Sequence, residues 1–140
     1  MEMSPSACER FICSDRFHFD GTPWKRRTLL TVNGLRHDVP NKTFAFLLRM
    51  AIQLQTDGVG WVRRDAFGEN PQQALSHVRA HTRPLVSEPN ADVIENNGYG
   101  SYRLSVPPQN VTFDWDNIRA HWDHQIASQA ELMAETAATK

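Results

Sequence analysis

The polar side chains between residues 70 and 83 are the groups in this sequence best suited to binding chemistry. Leu75, Val78 and Leu85 are three or seven residues apart, which is the spacing of a helix face that packs against a core. The side chains between them would point outward, and most carry hydrogen-bond donors that suit phosphate oxygens and the edges of bases. This outward set comprises Gln72, Gln73, Ser76, His77, Arg79 and Arg83.

A second set of polar groups lies around that helix. Residues 93–94 and 102–104 are predicted as two short strands on either side of Asn97-Gly98, and an Asn-Gly pair in this position predicts a β-hairpin over about residues 92–105. The tip of this hairpin and an arginine pair before the helix add donors for phosphate or base contacts. They are Asn97 and Tyr99 at the tip, and Arg63 and Arg64 upstream.

The elements that must position these groups can be predicted from hydrophobic periodicity and turn residues. Residues 16–39 alternate strand-forming residues with turn signals, and predict an antiparallel sheet in which Asn33-Gly34 forms a hairpin turn. Helices are expected at about 41–55, 63–68 and 71–83, and Pro84 should end or kink the last one near Arg83. Parallel pairing of strands would contradict this architecture. Residues 1–15 are expected to be a flexible lead, so the predicted domain spans residues 16–106.

Residues 107–140 are expected to form a separate element that begins at Pro107-Pro108. Asp114 can cap a helix from about residue 115 to 136, in which large apolar residues recur at three- and four-residue steps. This stripe either packs on its own domain or meets a second copy of the chain in a homodimer. It comprises Trp115, Ile118, Trp122 and Ile126.

Four segments occur in an order that suggests a family. They are Leu30–Gly34 with Val39–Phe44, then Asp57–Arg64, then His77-Val78-Arg79 with Leu85, and finally Val93–Glu95 with Gly100–Leu104. This order, over about residues 28–106, resembles the winged-helix output domain of response-regulator transcription factors. The resemblance implies an α+β fold, a winged helix-turn-helix: an N-terminal antiparallel β-sheet, a three-helix core and a C-terminal β-hairpin wing, here with an additional C-terminal helix.

The resemblance also implies a function, which is sequence-specific binding of double-stranded DNA in transcription regulation. The recognition helix, residues 71–83, would enter the major groove, and the wing, residues 92–105, would approach the minor groove. The sequence departs from the family at Ala80 and Thr82, where basic residues are usual, and at Asn97, near the usual place of an arginine. No receiver domain is expected before residue 16. An alternative is therefore a winged-helix module that binds an unidentified protein partner and little or no DNA.

The charge distribution bears on both alternatives. The 140 residues carry a net charge of −1, but residues 16–106 hold 12 Lys and Arg against 8 Asp and Glu, a net charge of +4. Residues 1–15 and 107–140 carry net charges of −2 and −3. The predicted domain is therefore mildly basic between acidic ends, which is modest for a nucleic-acid binder, whose affinity depends on several phosphate contacts.

Other classes of function find little support in the sequence. The glycines occur singly in turns and form no phosphate loop, and Cys8 and Cys13 are too close and too terminal for a disulfide framework. His121 and His124 beside Asp123 have helical spacing but no distant third ligand. We therefore expect no enzyme activity, no metal and no cofactor. No apolar run reaches the roughly 20 residues that a membrane span needs, so a cytoplasmic location without membrane contact is expected.

Overall fold

A long central helix, α1 (Asn41–Asp57), contacts both β-sheets of this mixed α+β structure. The computed structural model describes residues 11–88 and 92–132 of the chain. Leu47, Leu48 and Leu54 of α1 are fully buried, and Gly58, at φ 78°, ends the helix by donating its N–H to the carbonyl of Leu54. Glycine is favoured here because the left-handed conformation strains other residues. The helix predicted at 41–55 is confirmed.

Four strands form the N-terminal sheet, namely β1 (Phe17–Phe19), β2 (Pro23–Trp24), β3 (Arg27–Val32) and β4 (Leu35–Pro40). Strand β3 pairs antiparallel with each of the other three. Asn33 and Gly34 connect β3 to β4 with φ values of 53° and 83°, the positive values that a tight hairpin turn requires. The antiparallel sheet predicted for residues 16–39 is confirmed.

A fifth strand, β8 (Val111–Phe113), pairs with β1 in parallel, with Phe17 opposite Val111. This pair contradicts the expectation that no strands would be parallel. It also shows that the boundary predicted at residue 106 does not divide the structure. Pro108–Asn110 forms a 3-10 helix that precedes β8, and the ring of Phe113 stacks on that of Phe19 at 5.5 Å. Burial of these rings joins the segment after residue 107 to the N-terminal sheet.

The second sheet contains β5 (Val62–Arg63), β6 (Ile94–Asn96) and β7 (Ser101–Leu104), in the order β5-β7-β6. Both of its pairs are antiparallel, and the hairpin predicted at 92–105 is confirmed. The α-helix expected at 63–68 is instead a 3-10 helix, Arg64–Phe67. It stops after four residues because Gly68 has φ 95° and ψ −167°, outside the helical region.

Helix α2 (Pro71–Thr82) follows, with proline in its first turn, where the missing N–H has no helical partner to lose. A short 3-10 helix, Arg83–Leu85, continues the chain at Pro84. Proline cannot donate a backbone hydrogen bond inside a helix, so the predicted end near Arg83 is confirmed. α2 buries Leu75, Val78 and Thr82.

Of the flexible lead predicted for residues 1–15, residues 11–15 are hydrogen-bonded to the rest of the structure, and residues 1–10 lie outside the described residues. The N–H groups of Ile12 and Cys13 donate to the hydroxyl and the carbonyl of Ser105, at 2.8 and 3.0 Å. The buried Asp15 carboxylate accepts hydrogen bonds from the Asn33 side chain at 2.6 Å and the Ser87 N–H at 2.9 Å. Desolvation raises the pKa of Asp15, but these hydrogen bonds outweigh it and lower the pKa overall.

The single C-terminal helix predicted for residues 115–136 is wrong. Two short helices, α3 (Trp115–Arg119) and α4 (His124–Ala127), and a further helical run at 129–132 replace it, and residues 133–140 lie outside the described residues. The Asp123 carboxylate caps α4 by accepting the Gln125 N–H at 2.9 Å, while the His121 ring accepts the Asp123 N–H at 2.9 Å. These side-chain hydrogen bonds compensate for the helical ones lost at the break.

No helix in the ranges 11–88 and 92–132 is both long enough and apolar enough to cross a membrane.

Candidate nucleic-acid interface

The surface of α2 opposite its buried stripe carries a row of polar side chains. Gln72, Gln73, Ser76 and His77 are exposed, and so is Arg83 just after the helix, as the helical spacing predicted. The Gln73 carbonyl oxygen accepts a hydrogen bond from the Asn70 amide at 2.8 Å, which leaves its amide nitrogen as a donor. The row therefore offers neutral and cationic donors on one side of the helix, and its role in binding stays a prediction.

Arg79 does not belong to this outward row, contrary to the prediction. Its guanidinium donates to the Asp92 carboxylate at 3.1 Å and to the Ile94 carbonyl at 3.0 Å, and it lies 5.8 Å from the centre of the Tyr102 ring. Only 23 % of its side chain is exposed. Position 79 borders the buried stripe, so a long flexible side chain can bend back to an anion and a carbonyl. In this structure Arg79 connects α2 to β6.

The hairpin tip projects an aromatic side chain into solvent. Tyr99 is 90 % exposed, while the Asn97 side-chain oxygen accepts hydrogen bonds from the N–H groups of Tyr99 at 2.7 Å and Ser101 at 3.2 Å. The Asn96 side chain accepts the Gly98 N–H at 2.8 Å in the same way. These local bonds order the tip. Asn97 therefore supports the turn with its oxygen and presents only its amide nitrogen as a donor.

Arg63 and Arg64 lie beside the base of the hairpin. The N–H of Arg64 donates to the Gly100 carbonyl at 2.9 Å, and Arg63 lies in β5, which pairs with β7. The Arg63 side chain is exposed, with its nearest carboxylate, that of Asp65, at 3.9 Å. Two predicted cationic residues are thus placed between the hairpin and the chain that leads into α2.

The charge of this surface is mixed. Arg63, Arg64 and Arg83 contribute positive charge, while Asp65 and Glu69 are exposed beside the first turn of α2. A cavity of about 500 Å³ between Arg64 and Gln72 has both carboxylates in its lining. The surface can therefore accept anionic groups near the arginines but is less attractive to them near the start of α2.

Sequence reasoning missed Arg103, a buried side chain whose hydrogen bonds connect the two strands of the hairpin to each other and to Val59. Its side chain is 3 % exposed, donates to Glu95 at 2.9 Å and the Val59 carbonyl at 3.1 Å, and lies 4.5 Å from the ring centres of both Phe11 and Trp61. A buried arginine needs this degree of pairing because an unpaired charge is costly to desolvate. The hairpin register places Glu95 opposite Arg103, so the Asn-Gly turn was the signal that could have identified the pair.

The four residues predicted as a dimer stripe do not share one surface. Ile118 and Ile126 are fully buried in the core of the chain, and the Trp115 ring stacks on Phe113 at 4.6 Å. Trp122, in contrast, is 60 % exposed. The sequence left two alternatives for this segment, packing on its own domain or contact with a second copy of the chain. The two isoleucines pack on their own domain, because the break before α4 turns the chain back toward α1.

His121, which the sequence placed beside His124 and Asp123, is buried and hydrogen-bonded to Thr28. The Thr28 hydroxyl lies 2.9 Å from its Nε2, and the same hydroxyl donates to the Asn41 side chain. Burial lowers the pKa of His121, although the nearby Asp123 carboxylate acts in the opposite direction. Because Nδ1 accepts the Asp123 N–H, the neutral ring carries its proton on Nε2, which donates to Thr28.

Comparisons with protein-family models, curated proteins and solved structures return no match to this chain.

Proposed function

We propose that this chain is a winged-helix domain that binds double-stranded DNA and regulates transcription. The observation that carries the proposal is the arrangement of three surfaces: the exposed donors of α2, the hairpin with Tyr99 at its tip, and Arg63 and Arg64 next to that hairpin. A helix of 12 residues with an exposed polar row fits the major groove, while a hairpin beside it approaches the adjacent phosphates and minor groove.

The side chains divide into two groups by chemistry. Ser76, His77 and the glutamines carry hydrogen-bonding groups that match base edges. Arg63, Arg64 and Arg83 are exposed cations that match phosphates. Arg79 acts as a positioning residue, since its guanidinium holds α2 against β6. Arg79 is therefore not included among the side chains proposed to contact DNA.

A protein-binding module is the second candidate, and the mixed charge of the surface favours it. Asp65 and Glu69 flank the first turn of α2, where a DNA backbone would meet like charges. A protein partner with charges of both signs would be compatible with this pattern. The two candidates use the same surface and differ in their dependence on salt.

Fluorescence anisotropy of a short random-sequence DNA duplex tests the proposal. The wild type should bind at about 50 mM salt and lose affinity steeply toward about 200 mM, because phosphate contacts release counterions. Replacing Arg63 and Arg64 together by Ala should reduce the slope of log K against log salt by about 1.8, roughly 0.9 for each contact. Arg36→Ala, at an exposed position on β4, is the matched control and should leave the slope unchanged. Absence of binding at the lowest salt would overturn the proposal in favour of the protein-binding module.

A further inference from the structure

A cavity of about 520 Å³ lies between α1, the 3-10 helix before α2, and α4. Its volume is within the range of sites that bind small organic molecules. Lys42, Phe46 and Arg49 line it from one side of α1, while Phe67 lines it from the 3-10 helix and Gln129 from the residues just after α4. The DNA-binding proposal uses none of these five side chains, so the cavity needs an explanation of its own.

The aromatic part of the lining suits a flat apolar group. The rings of Phe46 and Phe67 meet edge to face, with their centres 5.1 Å apart and an angle of 73° between planes. Phe67 is buried, whereas Phe46 is only partly buried, so Phe46 retains ring surface that a ligand can cover. A ligand ring packed against Phe46 would form an aromatic pair, which gains stabilisation beyond that of the buried area alone.

The charged side chains of the lining favour a ligand with one negative charge. Arg49 is partly buried, yet its hydrogen bond is to the neutral Gln53 side chain at 3.4 Å, and no carboxylate in the described parts of the chain forms an ion pair with it. Burial lowers the pKa of Arg49 because desolvation disfavours its charge. Lys42 lies two helical turns away, and the lining also includes one carboxylate, that of Asp65, against these two positive charges. A monoanion therefore fits better than a dianion.

Gln129 adds a requirement for a hydrogen-bond donor. Its amide nitrogen donates to the carbonyls of Ala45 at 2.8 Å and Gln125 at 3.2 Å, which fixes the orientation of the amide. Its oxygen is then left buried without a hydrogen-bond partner. A buried acceptor without a partner costs free energy that a ligand hydroxyl or ammonium group would recover.

We propose that this cavity binds a small aromatic carboxylate that also carries a hydroxyl or amino group. The carboxylate pairs with Arg49, the ring packs on Phe46, and the hydroxyl or ammonium donates to the Gln129 oxygen. The three side chains that contact the ligand, Phe46, Arg49 and Gln129, are not among those assigned to the nucleic-acid interface, so the site can be tested without DNA.

A titration of the isotopically labelled protein with four related probes, followed by NMR without DNA, tests the site. The probes are phenylalanine, 3-phenyllactate, 3-phenylpropionate and phenethylamine. Phenylalanine and 3-phenyllactate should shift signals of α1 and the 3-10 helix at millimolar concentration, 3-phenylpropionate more weakly, and phenethylamine least. If neither carboxylate with a donor group shifts these signals, the proposal is overturned.

Two variants then assign the contacts. Arg49→Gln should weaken 3-phenyllactate binding about tenfold or more, since it removes a charge-assisted pair. Arg36→Gln, at an exposed position on β4, should leave binding unchanged. Gln129→Met should remove the preference for 3-phenyllactate over 3-phenylpropionate, a ratio that a general loss of stability would not alter. If Arg49→Gln binds as tightly as wild type while folded by circular dichroism, the proposed anchor is wrong.

Discussion

The face of α2 and the C-terminal segment of residues 107–127 differ in what covers their large side chains. In α2, one narrow stripe that includes Leu75 and Val78 packs inward, and the polar residues around it stay exposed. In the C-terminal segment, Ile118 and Ile126 are buried while Trp122 points into solvent. The polar side chains of α2 therefore remain exposed, whereas the C-terminal segment completes the core of the chain.

The largest expected effect lies in the C-terminal segment. Ile118→Ala should lower the free energy of unfolding by roughly 2–5 kcal/mol, because Ile118 is fully buried and leaves a cavity. Trp122→Ala should cost less than about 1 kcal/mol, since that side chain is largely exposed. Urea unfolding measures both values. Equal losses in the free energy of unfolding would contradict this difference. So would a change from dimer to monomer in Trp122→Ala by light scattering, which would favour a shared dimer surface.

Two glycines provide a further test of how closely the C-terminal segment packs against the N-terminal sheet. Gly21 and Gly34 both have positive φ, at 75° and 83°, but only at Gly21 would an added methyl group lie 2.7 Å from a side-chain atom of Ile118. Around Gly34 the space is open. Both changes to Ala incur the cost of a left-handed residue, and Gly21→Ala should cost about 1–3 kcal/mol more through overpacking. Thermal unfolding should rank the variants, and equal melting temperatures would contradict the close packing of α3 on this turn.

A smaller effect separates the two roles considered for Arg79. Arg79→Ala and Asp92→Ala should each destabilise the protein by about 1 kcal/mol, with little further loss in the double variant, because the pair is partly exposed to solvent. Arg83→Ala, one turn further along and exposed, should not change stability. A base-contacting role would instead leave stability unchanged in Arg79→Ala and relax the preference at one base position in a DNA-binding assay.

The smallest effect is the pH dependence attributable to His121. Its pKa in the folded protein is lowered below the ordinary value of 6.5, so the unfolded chain takes up a proton first as the pH falls. Stability should therefore decline below about pH 6.5, by at most about 1.4 kcal/mol per pH unit from this group. His121→Gln should flatten the decline measured by urea unfolding between about pH 7.5 and 5.5. The exposed His124→Gln is the control, and an equal slope in wild type and His121→Gln would contradict this assignment.

Local signals in the sequence predicted the secondary-structure elements better than they predicted which distant residues come into contact. The Asn33-Gly34 and Asn97-Gly98 pairs identified both hairpins, and Pro84 marked the end of α2, because the backbone limits of these residues act over a few positions. The predicted outward row of α2 was right except for Arg79. Its partner Asp92 lies 13 residues away, and helical periodicity carries no information about such a contact.

The C-terminal error has a similar cause. By spacing, the stripe fits one continuous helix: Trp115, Ile118, Trp122 and Ile126. The caps formed by Asp114 and Asp123, and the hydrogen bond that the Asp123 N–H donates to the His121 ring, instead stabilise the separate short helices α3 and α4. The cavity beside Arg49 could not be predicted from the sequence either. It forms only where α1, the 3-10 helix and the segment from α4 to Gln129 meet, and its lining residues are up to about 90 residues apart in sequence.

The sequence by itself determined the order of elements from residue 16 to 106, the turns between them and the polar face of α2. These features follow from hydrophobic periodicity and from the restricted backbone of Gly, Pro and Asn. Only the tertiary structure decided that β8 joins β1 in parallel, that Asp15 connects the N-terminal segment to Asn33 and Ser87, and that Arg79 and Arg103 pair internally. Such contacts depend on which distant groups become buried together, since a desolvated charge or ring gains stability from whichever partner the packing brings to it.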